Sequence, residues 1–96
     1  MDQVQAVVDG LGSPHQALRA DDRLRALNGV LLSRTDVHTS NLYLLVRSDA
    51  VLTVNEVRAA VAPLGLTVRC FVRGPRADNP FRHLDPGQCG NTIETR

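Results

Sequence analysis

Two short segments, Ser13-Pro14-His15-Gln16 and Thr53-Val54-Asn55-Glu56, decide most of what this chain can become. Each reads as a helix start. A Ser or Thr hydroxyl accepts a hydrogen bond from the backbone N–H three residues on, and a Gln or Glu at that position reaches back to the cap. Pro14 suits the first helical position, where its missing N–H has no partner to lose. Leu52 precedes the second cap and is placed to staple against Val57. After the first start, Ala17, Ala20, Leu24 and Leu27 recur on one face, with Arg19, Asp21, Asp22, Arg23 and Arg25 expected off it. Asn28-Gly29 closes that helix. After the second, Val54, Val57, Val61 and Leu64 form the stripe, and Pro63 and Gly65 end it.

The segments around these helices alternate with a period of two. Asn41 to Arg47 is the clearest strand, with Leu42, Leu44 and Val46 facing one way and Tyr43 and Leu45 the other. Val30 to Val37 precedes it across a polar turn, which predicts an antiparallel hairpin. Leu66 to Arg73 predicts a last strand. Leu66, Val68, Cys70 and Val72 are expected in the core, with Cys70 as a small buried hydrophobe, and Thr67, Arg69, Phe71 and Arg73 on the other face. Gln3 to Val8 fits two readings. Val4, Ala6 and Val8 alternate as in a strand, whereas Val4, Val7, Val8 and Leu11 fit a helical stripe. The first makes the chain β-α-β-β-α-β, a ferredoxin-like α+β sandwich with two helices on one face of a four-stranded antiparallel sheet. The second gives α-α-β-β-α-β with three strands. Gly74-Pro75, Asn79-Pro80 and Asp85-Pro86-Gly87 then punctuate a polar stretch without periodicity. Residues 1–74 therefore read as the domain and 75–96 as an irregular tail, with Phe81, Leu84 and Ile93 as its sizeable anchors.

Composition narrows the function classes. Of 96 residues, 43% are hydrophobic and 22% charged, which suffices for one modest core. The formal net charge of +1 argues against nucleic-acid binding by electrostatics. No apolar run reaches bilayer length and no secretory leader is visible, so a cytoplasmic domain without membrane insertion is expected. In a reducing compartment Cys70 and Cys89 are expected as free thiols.

The order of several motifs carries a family likeness. Gly10-Leu11 follows the first strand. Leu24-Arg25-Ala26-Leu27-Asn28-Gly29-Val30 closes the first helix on a Gly-Val turn, and Thr35-Asp36-Val37-His38-Thr39 follows. Val54-Asn55-Glu56-Val57-Arg58-Ala59-Ala60-Val61 and Leu64-Gly65-Leu66-Thr67-Val68 complete the series. From Val8 to Val72 the chain resembles the heavy-metal-associated domain of copper chaperones and metal-pumping ATPases. The resemblance implies the four-stranded sandwich and favours a strand over residues 3–8. In that family the first loop reads Gly-Met-x-Cys-x-x-Cys, and its two thiolates hold monovalent copper. Here Ser13 and Gln16 stand at the two cysteine positions. A hydroxyl and an amide supply no ligand charge to a soft cation. The resemblance therefore implies a degenerate metal site with no cofactor, and a non-catalytic interaction or regulatory module within a metal-transport or metal-homeostasis system.

The candidate surfaces follow from that reading. The loop Gly10, Leu11, Gly12, Ser13, Pro14, His15 and Gln16 is one interaction candidate. The helix-free sheet face, expected to carry Tyr43, Arg69, Phe71 and Arg73, with Leu45 as an alternative to Tyr43, is another. A protein partner or a second copy is the expected ligand, through either surface or an edge strand. A divergent metal site would have to draw on Cys89 or Cys70 with His15 or His83. His38 and His83 beside Asp36 or Asp85 offer only weak surface pairs, since stable sites need three or four protein ligands. RNA binding on the open face would need several aromatic platforms, and the chain has three aromatic residues (Tyr43, Phe71, Phe81) in all. Ser13 near His15 has no orienting third group or oxyanion hole in the sequence, so no enzyme is expected.

Overall fold

A computed structural model describes residues 1–75. The elements are β1 (Asp2–Asp9), α1 (Pro14–Arg25), β2 (Val30–Asp36), β3 (Asn41–Val46), α2 (Val54–Val61), a short 3-10 turn (Ala62–Leu64) and β4 (Thr67–Pro75). The strands form one sheet in the order β2-β3-β1-β4, with every neighbouring pair antiparallel. This is the ferredoxin-like arrangement, and it settles the opening segment as a strand. β1 lies at the centre, bonded to β3 on one side and β4 on the other, so a helix there would leave β4 without a partner and β3 paired on one side alone.

Both helices cover the same face. Val4, Ala6 and Val8 of β1 meet Leu42, Leu44 and Val46 of β3 and Val68 of β4. From above, Ala20 and Leu24 of α1 and Val57, Ala60 and Val61 of α2 close the core. Leu11, Val54, Leu64 and Phe71 pack at its margin. Two glycines are dictated by space and backbone. Gly29 has φ +88, and a Cβ there would lie 2.2 Å from the Ala50 Cβ, so the α1–β2 turn fits only without a side chain. Gly10 has φ +101, and its Cβ would meet the Gly65 carbonyl oxygen at 2.8 Å, which holds the β1–α1 loop close to the end of α2.

Three sequence expectations change. Asp21, expected off the buried face of α1, is only 7% exposed. Its carboxylate accepts hydrogen bonds from Ser33 Oγ (2.6 Å), Thr35 Oγ1 (2.6 Å) and the Thr35 backbone N–H (3.3 Å), tying α1 to the edge strand β2. Three donors repay the burial of the charge.

The second change is in β4. Val7 pairs with Arg69 but Gln5 with Val72, so the register slips by one residue and β4 carries a bulge at 70–71. Cys70 takes φ +59 there. Beyond the bulge the faces exchange. Phe71 joins the core side, and Val72 turns outward, 56% exposed. Arg73, opposite the core residue Val4, pairs with Asp2 at 2.9 Å.

The third change concerns Cys70, expected as a free buried thiol. It is half-buried at the bulge and disulfide-bonded. The expected tail beyond Pro75, with Phe81, His83, Leu84, Asp85, Cys89 and Ile93, lies outside the described residues.

Candidate functional site

The loop Gly10–Gln16 leaves the centre of the sheet and enters α1. Its backbone donors are orphaned by the helix start, and the two side chains flanking Pro14-His15 answer them. Ser13 is extended (φ −157, ψ 154), and its Oγ accepts from the Gln16 N–H at 3.2 Å. Gln16 does not close the expected box on Ser13. Its Oε1 accepts from the Gly12 N–H at 2.8 Å, one residue earlier, and its Nε2 donates to the Leu64 carbonyl at 3.0 Å. One amide thus spans the loop and the 3-10 turn after α2, across 48 residues of sequence. A carboxylate has no donor and a thiol only a weak one, so the amide's paired donor and acceptor are what this bridge requires.

The arrangement leaves little of the loop for chemistry. Leu11 packs toward the core, and Pro14 and His15 are exposed. Among the described residues no three His, Cys, Asp or Glu side chains converge in a way that could hold a metal ion. Between Asp36 and His38 the contact is a turn hydrogen bond: Asp36 Oδ1 accepts from the His38 backbone N–H at 2.9 Å. Cys89 and His83 lie outside the described residues.

Just before the loop, Asp9 receives a forked pair from Arg69, Nε to Oδ2 at 2.6 Å and Nη2 to Oδ1 at 3.3 Å. The hydrogen bond to the carboxylate raises the Arg69 pKa above its ordinary value, so this cation stays charged at any accessible pH.

The open sheet face differs from the sequence expectation. Gln3, Gln5, Val7 and Asp9 of β1 line its centre, flanked by Asn41, Tyr43 and Leu45 of β3 and by Thr67, Arg69 and Val72 of β4. Tyr43 and Arg69 do share this face. The bulge sends Phe71 and Arg73 to the other one, so the predicted four-residue surface does not assemble. A single described aromatic, Tyr43, remains on it, which removes the paired stacking platform that a base-binding sheet needs.

Sequence reasoning missed two features. Asp21 falls in register with Ala17, Ala20 and Leu24, so its spacing did mark it for the buried stripe. The Gln16–Leu64 contact left no local trace, because its partner is a backbone carbonyl on another element.

No protein-family model matches the chain, and no curated protein matches it. Solved structures do match in fold. CopZ metallochaperone superposes with a TM-score of 0.62 at 18% identity, over 69% of this chain and 97% of that one. The N-terminal domain of a potential copper-translocating P-type ATPase from Bacillus subtilis gives a TM-score of 0.65 at 15% identity, over 82% of this chain and 98% of that one. The yeast copper transporter domain CCC2A gives 0.64 at 17% identity, over 75% and 96%.

Proposed function

We propose that this domain is a non-catalytic interaction or regulatory module of a metal-homeostasis system, in which the loop that carries thiolates in metal-binding relatives serves as a structural clasp. The fold it shares with copper-handling domains supports the setting. One observation carries the specific reading. The side chains at the two would-be ligand positions are already committed, Ser13 to the helix cap and Gln16 to Gly12 and Leu64. Neither offers the anionic sulfur that monovalent copper selects.

The loop then works by shape. Pro14 and His15 stand out from a scaffold fixed on both sides, a rigid knob for a protein partner that need not pay to order it. The test is a titration of the full chain with monovalent copper against a competing chelator. No retention at one equivalent is the expected result, and submicromolar retention at one equivalent overturns the reading. A parallel titration of Cys89→Ser with His15→Ala shows whether any retention comes from those two side chains.

A further inference from the structure

We infer that Asp21 closes the edge of β2 against pairing with a second copy of this chain. In the order β2-β3-β1-β4 the strands β2 and β4 end the sheet, and among the described residues β2 pairs with β3 alone. An edge strand turns the N–H and C=O of every second residue away from its sheet, and so offers them to any extended chain. Two residue types that often blunt an edge are missing from β2: Val30–Asp36 contains no proline and no lysine. The register shift between Val30 and Leu32 interrupts its start, but from Leu32 to Asp36 the pairing with β3 is regular.

The Thr35 N–H shows which groups point outward. It donates to Asp21 Oδ2 on α1 at 3.3 Å, so it leaves the ladder with β3. Backbone groups two residues apart share a direction, and Ser33 therefore faces outward as well. The other carboxylate oxygen, Oδ1, accepts from the Ser33 and Thr35 hydroxyls at 2.6 Å each. Two hydroxyls thus fix the carboxylate with its free oxygen on the edge donor. A strand arriving at Thr35 has to displace a charge that is only 7% exposed and strip it of a partner. The opposite edge repeats the device with the opposite sign. Val8 donates its N–H to the Ser40 carbonyl at 2.8 Å, on the β3 side, so the Val8–Val68 pair is not hydrogen-bonded and the Val68 carbonyl faces out. Arg58 Nε of α2 donates to that carbonyl at 3.3 Å. Each helix sends one charged side chain to the edge beneath it, a carboxylate to a donor and a guanidinium to an acceptor.

Charge selects the second copy as the occupant of the β2 edge. Arg34 and Asp36 alternate with Ser33 and Thr35, so both lie on the helix-free face. Two β2 strands that meet antiparallel about a two-fold axis at Thr35 exchange both backbone bonds between the two Thr35 residues. The same register sets each Arg34 opposite Asp36 of the other copy, two opposite-charge pairs from one self-complementary edge. That pairing needs the Thr35 N–H, the one donor that Asp21 holds.

The experiment removes the carboxylate together with the two hydroxyls it binds, so that neither hydroxyl is stranded: Asp21→Ala with Ser33→Ala and Thr35→Val, in the full chain. Light scattering at roughly 0.5 mM, where a sub-millimolar association populates the dimer, should give the monomer mass for the wild type and rise toward twice that mass in the triple variant. Exchanging Thr35→Val for Thr35→Pro removes the N–H at an edge position that tolerates proline, and should restore the monomer. Far-UV circular dichroism checks that both variants fold. A wild type already at twice the monomer mass, a triple variant that folds and stays monomeric, or a dimer that persists with Thr35→Pro overturns the inference. In the wild type itself the Thr35 N–H should exchange with solvent at least about tenfold more slowly than in an unstructured chain. Exchange at the unstructured rate overturns the closure of the edge without recourse to any variant.

Discussion

The two helix starts follow the same capping pattern, a hydroxyl followed three residues on by an amide or a carboxylate, and do different work. At α2, Thr53 and Glu56 close on each other: Glu56 Oε1 accepts from the Thr53 N–H at 2.8 Å, and Thr53 Oγ1 accepts from the Glu56 N–H at 3.2 Å. The box is complete, exposed and local. At α1, Ser13 caps in the same way, but Gln16 turns outward from the box to Gly12 and across to Leu64. The difference lies in chemistry. A carboxylate only accepts, so it satisfies the cap and stops, whereas an amide accepts at one end and donates at the other. The same helix-start pattern thus finishes one helix and fastens the other to the rest of the fold. α1 is fastened a second time at Asp21, through Ser33 and Thr35 of β2.

Several substitutions break or sharpen this contrast. The largest expected effect is a gain. Ser13→Cys with Gln16→Cys should bind monovalent copper at least about a thousandfold more tightly than the wild type, because two thiolates replace a hydroxyl and an amide. Chelator competition reads it, and metal-dependent stabilisation in thermal melts should accompany it. Asp21→Ala should follow, lowering stability by about 2–3 kcal/mol in urea denaturation, since it strands the buried Ser33 hydroxyl and the half-buried Thr35 hydroxyl and backbone N–H.

Gln16→Ala should cost about 1–2 kcal/mol, as it leaves the Leu64 carbonyl and the Gly12 N–H without their partner. Glu56→Ala, the matching change at α2, should cost only about 0.5 kcal/mol, because water replaces its exposed contact. Equal losses at 16 and 56 would erase the distinction between a clasp and a cap. Ser13→Ala and Thr53→Ala sit outside that distinction. Each should cost about 1 kcal/mol, the ordinary worth of an N-cap hydroxyl.

The same contrast shows how much was legible in sequence. Local signals survived intact. The alternation of β3, both cap residues and the stripe positions Val57 and Val61 appear where residue type and spacing place them. The order of elements completed the sheet topology.

What failed was long-range or geometric. The bulge at 70–71 adds one residue to β4 without a glycine or asparagine to mark its left-handed position, and it reversed the faces of Phe71, Val72 and Arg73 together. The expected stop of α2 at Pro63 and Gly65 is present, with a 3-10 turn over Ala62–Leu64 that Gly65 closes at φ +79. Asp21 was misplaced because charge outweighed spacing. In the candidate site, the identity of Ser13 and Gln16 could be read, but what they hold could not.

The most direct test of the account watches the Gln16 side chain itself. In a 13C,15N-labelled full chain, one Gln16 Nε2 proton is expected to exchange slowly with solvent, to show through-bond coupling to the Leu64 carbonyl carbon, and to stay unmoved when one equivalent of monovalent copper is added. A Gln16 amide that exchanges as fast as free glutamine, with its signal and that of His15 shifting at one equivalent of copper, would contradict the claim that this loop is a clasp.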